Sequence, residues 1–214
     1  MTALILDTSS DLYQIGLLAE NRLLDHLISP HNNSLSAAIL PCVENILFQN
    51  NVRLKDLDFL AVGIGPGSYT GTRVGVAIAK GLSFALQKPL LSFYSPLAYI
   101  PSQVRGDFLL ALEAKSGLFF TLRGQINPVT GLLTTDPHQF LSLEELKKQC
   151  QNTSYLLTLA HNPVLTSLDR TSPNLLLKPS LAHLPQYLLP IFQEKPHFSS
   201  LELHSLDLVY FHNP

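Results

Sequence analysis

The stretch GIGPGSYTGTRVGVAIAKGLSFAL, Gly63 to Leu86, holds six of the chain's eleven glycines and decides how the first half must fold. It has the look of a phosphate loop opening a helix, and spacing tests that reading. A Walker loop needs G-x-x-x-x-G-K-[ST], with a lysine placed to reach the phosphates. Counting from Gly65, the sixth position is Thr70, and no lysine occurs before Lys80. A dinucleotide fingerprint needs G-x-G-x-x-G; Gly65 and Gly67 fit, but the third glycine, Gly71, comes one residue late. A hydrolase elbow, G-x-S-x-G, fails because Ser68 follows Gly67 directly. What remains is a strand-to-helix turn. Pro66 fixes one φ, Gly65 and Gly67 permit positive φ, and Ser68 or Thr70 can cap the helix. Its N–H groups make Gly65, Gly67, Ser68 and Thr70 a weak anion-binding candidate, as helix starts are.

The helix after this turn is apolar on nearly every side. Gly71, Gly75, Ala79 and Ser83 form a stripe of small side chains, and Val74, Ile78, Leu82 and Leu86 form a bulky one. Arg73 and Lys80 are its only charges. A helix of this kind is buried on most faces. The small stripe therefore faces either another helix of this chain or a partner protein, and spacing alone leaves both open.

Working outward, Ala3–Leu6 and the segments that follow read as a β-meander with a turn at Glu20-Asn21. A helix follows over residues 34–50, with Leu35, Ile39, Val43, Ile46 and Leu47 at helical spacing. Asn33 or Ser34 would cap it, and Pro41 should kink it. Phe59–Ile64 is a buried strand, and Pro89–Phe93 another. Strands, helix, strand, helix, strand is an α/β pattern. Beyond it, residues 107–126 read as two strands joined at Lys115-Ser116-Gly117. Ser142 and Glu145 form a capping box on a short helix, 155–160 is a strand, and residues 181–192 a helix. Two domains are expected, residues 1–103 and 104–214.

Only 14% of residues are charged, against about 25% in an average soluble domain. That points to a large core or to apolar surface meant for a partner. A net charge of −2 argues against autonomous nucleic-acid binding. No uncharged apolar stretch suits a membrane span and no signal peptide is evident, so the expected compartment is the cytoplasm. Cys42 and Cys150 lack metal or redox spacing and read as reduced thiols.

ILDTSS at the N-terminus, a helix containing ILP, and LKDLDFLAVGIGPGSYTGTRVGVAIAKGLSFAL together resemble the bacterial TsaB (YeaZ) family. The similarity is strong over roughly residues 1–100 and looser through FLLALEAKSGLFF, where Glu113 and Lys115 replace the family's usual aspartate and arginine. LVYFHNP resembles the family's terminal YLR pattern, with His212 for arginine. Leu35 stands where the family usually has a histidine, with His31 nearby. The resemblance implies a two-lobed α/β fold of actin/hexokinase (ribonuclease H-like) type, with mixed sheets, flanking helices and a reduced second lobe. It implies a non-catalytic, activating subunit of the complex that places a threonylcarbamoyl group on N6 of the adenosine beside the anticodon, in tRNAs reading codons that begin with A. Activity, ATP and metal would reside on partner subunits, TsaD and the ATPase TsaE, with no cofactor on the isolated chain and tRNA met only within the complex. The expected partner interface is Leu35, Ile39, Val43, Ile46, Gly71, Gly75, Ala79 and Ser83, making a four-helix contact with TsaD.

Two features separate the chain from TsaD, which shares a related glycine segment: its shorter length, and the absence of H-x-x-x-H among its eight histidines. No glycine follows Gly131, so the second lobe cannot offer phosphate a glycine turn. Asp7 reads as a turn or cap residue rather than a metal ligand, and Glu113 and Lys115 as a solvated pair. Two rival readings stand beside the scaffold. One is a divergent small-molecule kinase or ATPase using Asp7 and the Gly65–Gly71 loop; the other is a homodimer through the same helices.

Overall fold

The structure is a computed structural model describing residues 1–30, 35–151, 153–158, 174–197, 199 and 206–210. The chain divides into two compact units. The first is Met1–Ala98 together with Leu184–Tyr210; Tyr99–His183 form the second. The boundary expected at 103/104 thus has a second crossing that the sequence does not announce. The segment from Leu184 returns to the first unit.

In the first unit, β1 (Thr2–Asp7), β2 (Leu12–Ala19) and β3 (Arg22–Pro30) form the expected meander. Glu20 and Asn21 both take positive φ, which matches the twist of a two-residue hairpin. Helix α1 (Leu35–Gln49) leads to β4 (Phe59–Gly63), and α2 (Tyr69–Leu86) to β5 (Leu90–Phe93). Strands β1, β4 and β5 run parallel, giving the order β3-β2-β1-β4-β5. The core lies between one sheet face (Leu4, Leu6, Ile15, Leu17, Leu60, Val62) and the inner faces of α1 and α2. Helix α1 runs through Pro41 as one element. Ala37 and Pro41 both lie on its exposed side, where water can serve the carbonyl that proline leaves without a donor. The cap expected at Asn33 or Ser34 lies outside the described residues. The last helix, here α4 (Leu184–Glu194), belongs to this unit, and its Phe192 stacks on Phe59 of β4 at 4.6 Å.

The second unit carries the sheet β11-β10-β6-β7-β8, with β9 also paired to β7. Strands β6 (Gly106–Glu113) and β7 (Phe119–Ile126) meet at the expected turn, where Ser116 and Gly117 take positive φ. Helix α3 (Leu143–Cys150) starts on the expected box: Ser142 Oγ accepts from the Glu145 N–H, and the Ser142 N–H donates to Glu145 Oε2 at 2.9 Å. Leu146 and Cys150 pack on Leu109, Ala111, Phe119 and Leu156. The expected strand at 155–160 is β10 (Tyr155–Thr158) as far as the described residues go. Three short strands were not legible: β8 (Leu133–Thr135), β9 (Gln139–Leu141) and β11 (Asn174–Leu176). Three residues are too few to show an alternating pattern. Two mixed sheets with flanking helices, one in each unit, match the expected α/β class.

Candidate functional site

The glycine turn is closed from within. Gly65 has φ +93°, and a methyl group on it would overlap the Val209 carbonyl oxygen. The Val209 N–H donates to the Ile64 carbonyl at 2.8 Å, so the segment Leu206–Tyr210 lies along the turn as an added strap. A methyl on Gly67 would overlap the Ser9 carbonyl. Several donors of the turn are committed likewise. The Gly65 N–H donates to Ser95 Oγ at 2.9 Å, the Ser68 N–H to the Ser9 carbonyl, and the Gly71 N–H to Ser68 Oγ at 3.2 Å. Ser68 is therefore the helix cap, and Thr70 stands exposed as the second residue of α2.

Asp7 is fully buried at the end of β1, and its Oδ2 accepts from Ser9 Oγ at 3.2 Å. A side chain on Gly63 would overlap Asp7 and Ser95, so that glycine serves the approach of two polar groups. Thr8 Oγ1 donates to the Gly71 carbonyl at 2.7 Å and ties the first turn to α2. Among the described residues, no group of three His, Cys, Asp or Glu side chains is arranged to hold a metal. Glu113 is exposed, and the side chain of Lys115 lies outside the described residues. On the sheet face opposite α1 and α2, His26 Nε2 sits 3.0 Å from Gln14 Oε1, whose amide donates to the Ala98 carbonyl. Burial pushes the His26 imidazole below its ordinary value, against the smaller pull of Asp25. Nothing in the sequence marked this network, because Gln14 and His26 become neighbours only through strand register.

The residues expected at a partner interface are placed inside the chain's own core. Ile39, Val43 and Ile46 are buried against the sheet, as are Gly71, Gly75, Ala79 and Ser83; Leu35 packs half-buried on the same cluster. A methyl on Gly75 would overlap Thr8 Oγ1, so the small stripe admits the β1 turn. This corrects the expectation that the stripe meets a partner. The outward faces are different ones. Helix α1 shows Ala37, Leu40, Glu44 and Phe48, with Phe48 82% exposed. Helix α2 shows Arg73, Ala77, Gly81, Phe84 and Ala85, with Phe84 61% exposed and open space around Gly81. A second small-residue stripe, Ala77-Gly81-Ala85, was readable at the same four-residue spacing, but spacing does not say which stripe faces out. At the start of α2, the Arg73 guanidinium lies 3.8 Å over the Tyr69 ring, and its Nε donates to the Tyr210 hydroxyl at 3.0 Å. That stack pins the strap beside the helix.

A family model described as "TsaD: tRNA N6-adenosine threonylcarbamoyltransferase" matches residues 30–126. The chain is 34% identical over 110 residues to the tRNA threonylcarbamoyladenosine biosynthesis protein TsaB of Haemophilus influenzae, covering 51% of this chain and 44% of that protein. It is 33% identical over 132 residues to the protein of the same name from Bacillus subtilis, covering 62% and 55%. The chain thus spans about half the length of the curated relatives it matches. The solved structure of YeaZ from Pseudomonas aeruginosa superimposes with a TM-score of 0.77 at 22% identity, covering 98% of this chain and 99% of that one. Over about half its length the chain is thus similar in sequence to TsaB proteins, and over nearly all of it the fold is that of YeaZ.

Proposed function

We propose that the chain takes part in making threonylcarbamoyladenosine in tRNA, as the non-catalytic, activating subunit of the transferase. The transfer to N6 of the adenosine next to the anticodon would occur on TsaD, with ATP and metal on TsaD and TsaE. This chain would meet tRNA only inside that assembly, in the cytoplasm. Among the described residues no helix is long and apolar enough to cross a membrane.

The observation that carries this reading is the outer face of α1 and α2. It exposes Leu40, Phe48 and Phe84 with few charges around them, and Ala77, Gly81 and Ala85 let another backbone come close. Exposed aromatics in an uncharged setting mark protein contacts more than catalysis. The closed glycine turn supports the same reading, since its Gly65, Ser68 and Gly71 donors serve the chain itself. The names of the relatives support the link to threonylcarbamoyladenosine in tRNA.

The test is association with TsaD from the same organism, followed by light scattering. A complex is expected, and Gly81→Leu should weaken it at least tenfold while leaving the melting temperature of the isolated chain intact. Absence of a complex, with or without nucleotide, overturns the reading. Saturable heat on titrating Mg-ATP into the isolated chain would favour a kinase or ATPase instead.

A further inference from the structure

On the second sheet, β8 ends at Thr135 and β9 begins at Gln139, with Pro137 between them. Proline has no N–H for the ladder, so the strand breaks there. Strand β7 pairs with β8 through Gly124–Ile126 and with β9 through Phe119–Thr121, which leaves Arg123 at the gap. Two cavities open at this break, of about 240 and 280 Å³, and both are lined by Arg123 and Asp136.

Arg123 is half-buried as a residue, and its guanidinium donates to the Gln149 carbonyl, at the end of α3, over 3.4 Å. The ion pairs among the described residues are Arg22–Glu20 and Arg53–Asp56; Arg123 is in neither. A guanidinium offers five donors, so one long hydrogen bond leaves most of its capacity turned toward the cavities. Thr121, Gln139 and Gln149 complete the first cavity and are held in order. Thr121 Oγ1 donates to the Gln139 carbonyl at 3.1 Å, and Gln149 Nε2 to Gln139 Oε1 at 3.3 Å. Asp107, Thr134 and Thr135 line the second. Strand register puts Asp107, Arg123 and Asp136 on one face: Leu109 pairs with Arg123, Asp107 with Gln125, and Gln125 with Thr134.

The charges select the ligand. A simple anion on Arg123 would lie beside Asp136, and a simple cation on Asp136 would lie beside Arg123. A zwitterion satisfies both, with its carboxylate on the guanidinium fork and its ammonium on Asp136. One carboxylate, Asp107, is then left over. It stands on β6, two strand spacings across from β8 and two residues further along, roughly 12 Å from Asp136, within reach of an amino acid with an extended side chain. We propose that this face of the second unit binds a free α-amino acid with a basic side chain: carboxylate on Arg123, α-ammonium on Asp136, side-chain cation on Asp107.

The proposal does not depend on the tRNA reading. Calorimetric titration of the full chain with L-lysine tests it against two probes, L-norleucine, which lacks the second cation, and 1,5-diaminopentane, which lacks the carboxylate. Saturable binding of L-lysine is expected, with each probe weaker by about tenfold, the usual worth of one charge-assisted contact. Arg123→Gln should abolish binding. Asp107→Asn, at an exposed position that the fold tolerates, should reduce L-lysine to the level of L-norleucine and leave L-norleucine unchanged. No saturable heat with L-lysine at millimolar concentration, equal binding of either probe, or indifference to Asp107→Asn overturns the assignment.

Discussion

Gly65 shows how one residue answers two constraints. Its φ of +93° lies where a side chain is strained, and its α-carbon faces the Val209 carbonyl. Gly65→Ala should therefore cost about 2–4 kcal/mol, part from the left-handed backbone and part from the displaced strap. Urea denaturation gives the stability, and slower hydrogen exchange at the Val209 amide in the native protein than in the variant would show the strap loosening. His26 makes a prediction of different sign and range. Its folded value lies below the ordinary 6.5, so the unfolded chain binds the extra proton. The contribution is complete above pH 6.5 and is lost as pH falls below 6.5 toward the folded value. Unfolding free energy measured from pH 7.5 to 5 should decline in that window, and His26→Gln should flatten the decline.

Helix α2 separates a face that folds from a face offered outward. Gly75→Val and Ala79→Leu put bulk into the stripe that admits the β1 turn, and each should destabilise the isolated chain by about 1–3 kcal/mol. Phe84→Ser, on the outer face, should leave stability within about 0.5 kcal/mol and weaken partner association. Equal loss of stability in both sets would erase the distinction between the faces, and thermal melts decide it. Ser142→Ala removes one side of the α3 capping box and should cost about 1 kcal/mol, read as a lower melting temperature. In the sequence the box was legible because its elements are three residues apart. The short strands β8, β9 and β11 were not, since their identity comes from the neighbours they pair with.

At the scale of the molecule, the first unit is discontinuous. Leu184–Tyr210 supplies α4, whose Phe192 covers Phe59, and the strap that covers Gly65. A fragment of residues 1–103 would expose both surfaces and should be loosely packed, with strong binding of a hydrophobic dye. Residues 1–98 joined through a short linker to 184–210 should fold cooperatively. A fragment 1–103 that melts as sharply as the full chain would show that the returning segment adds nothing.

The sequence by itself determined the meander, the α/β alternation, the Ser142 cap and the failure of each phosphate motif at Gly65–Gly71. All of these rest on spacings within one turn or one strand. Tertiary structure decided which stripe of α2 is buried, what lies against Gly65, and where the chain returns to its first unit. Stripes four residues apart differ only in which way the helix is turned about its axis. That rotation is set by the sheet beneath, through contacts such as Thr8 to Gly71, made by residues 63 positions apart.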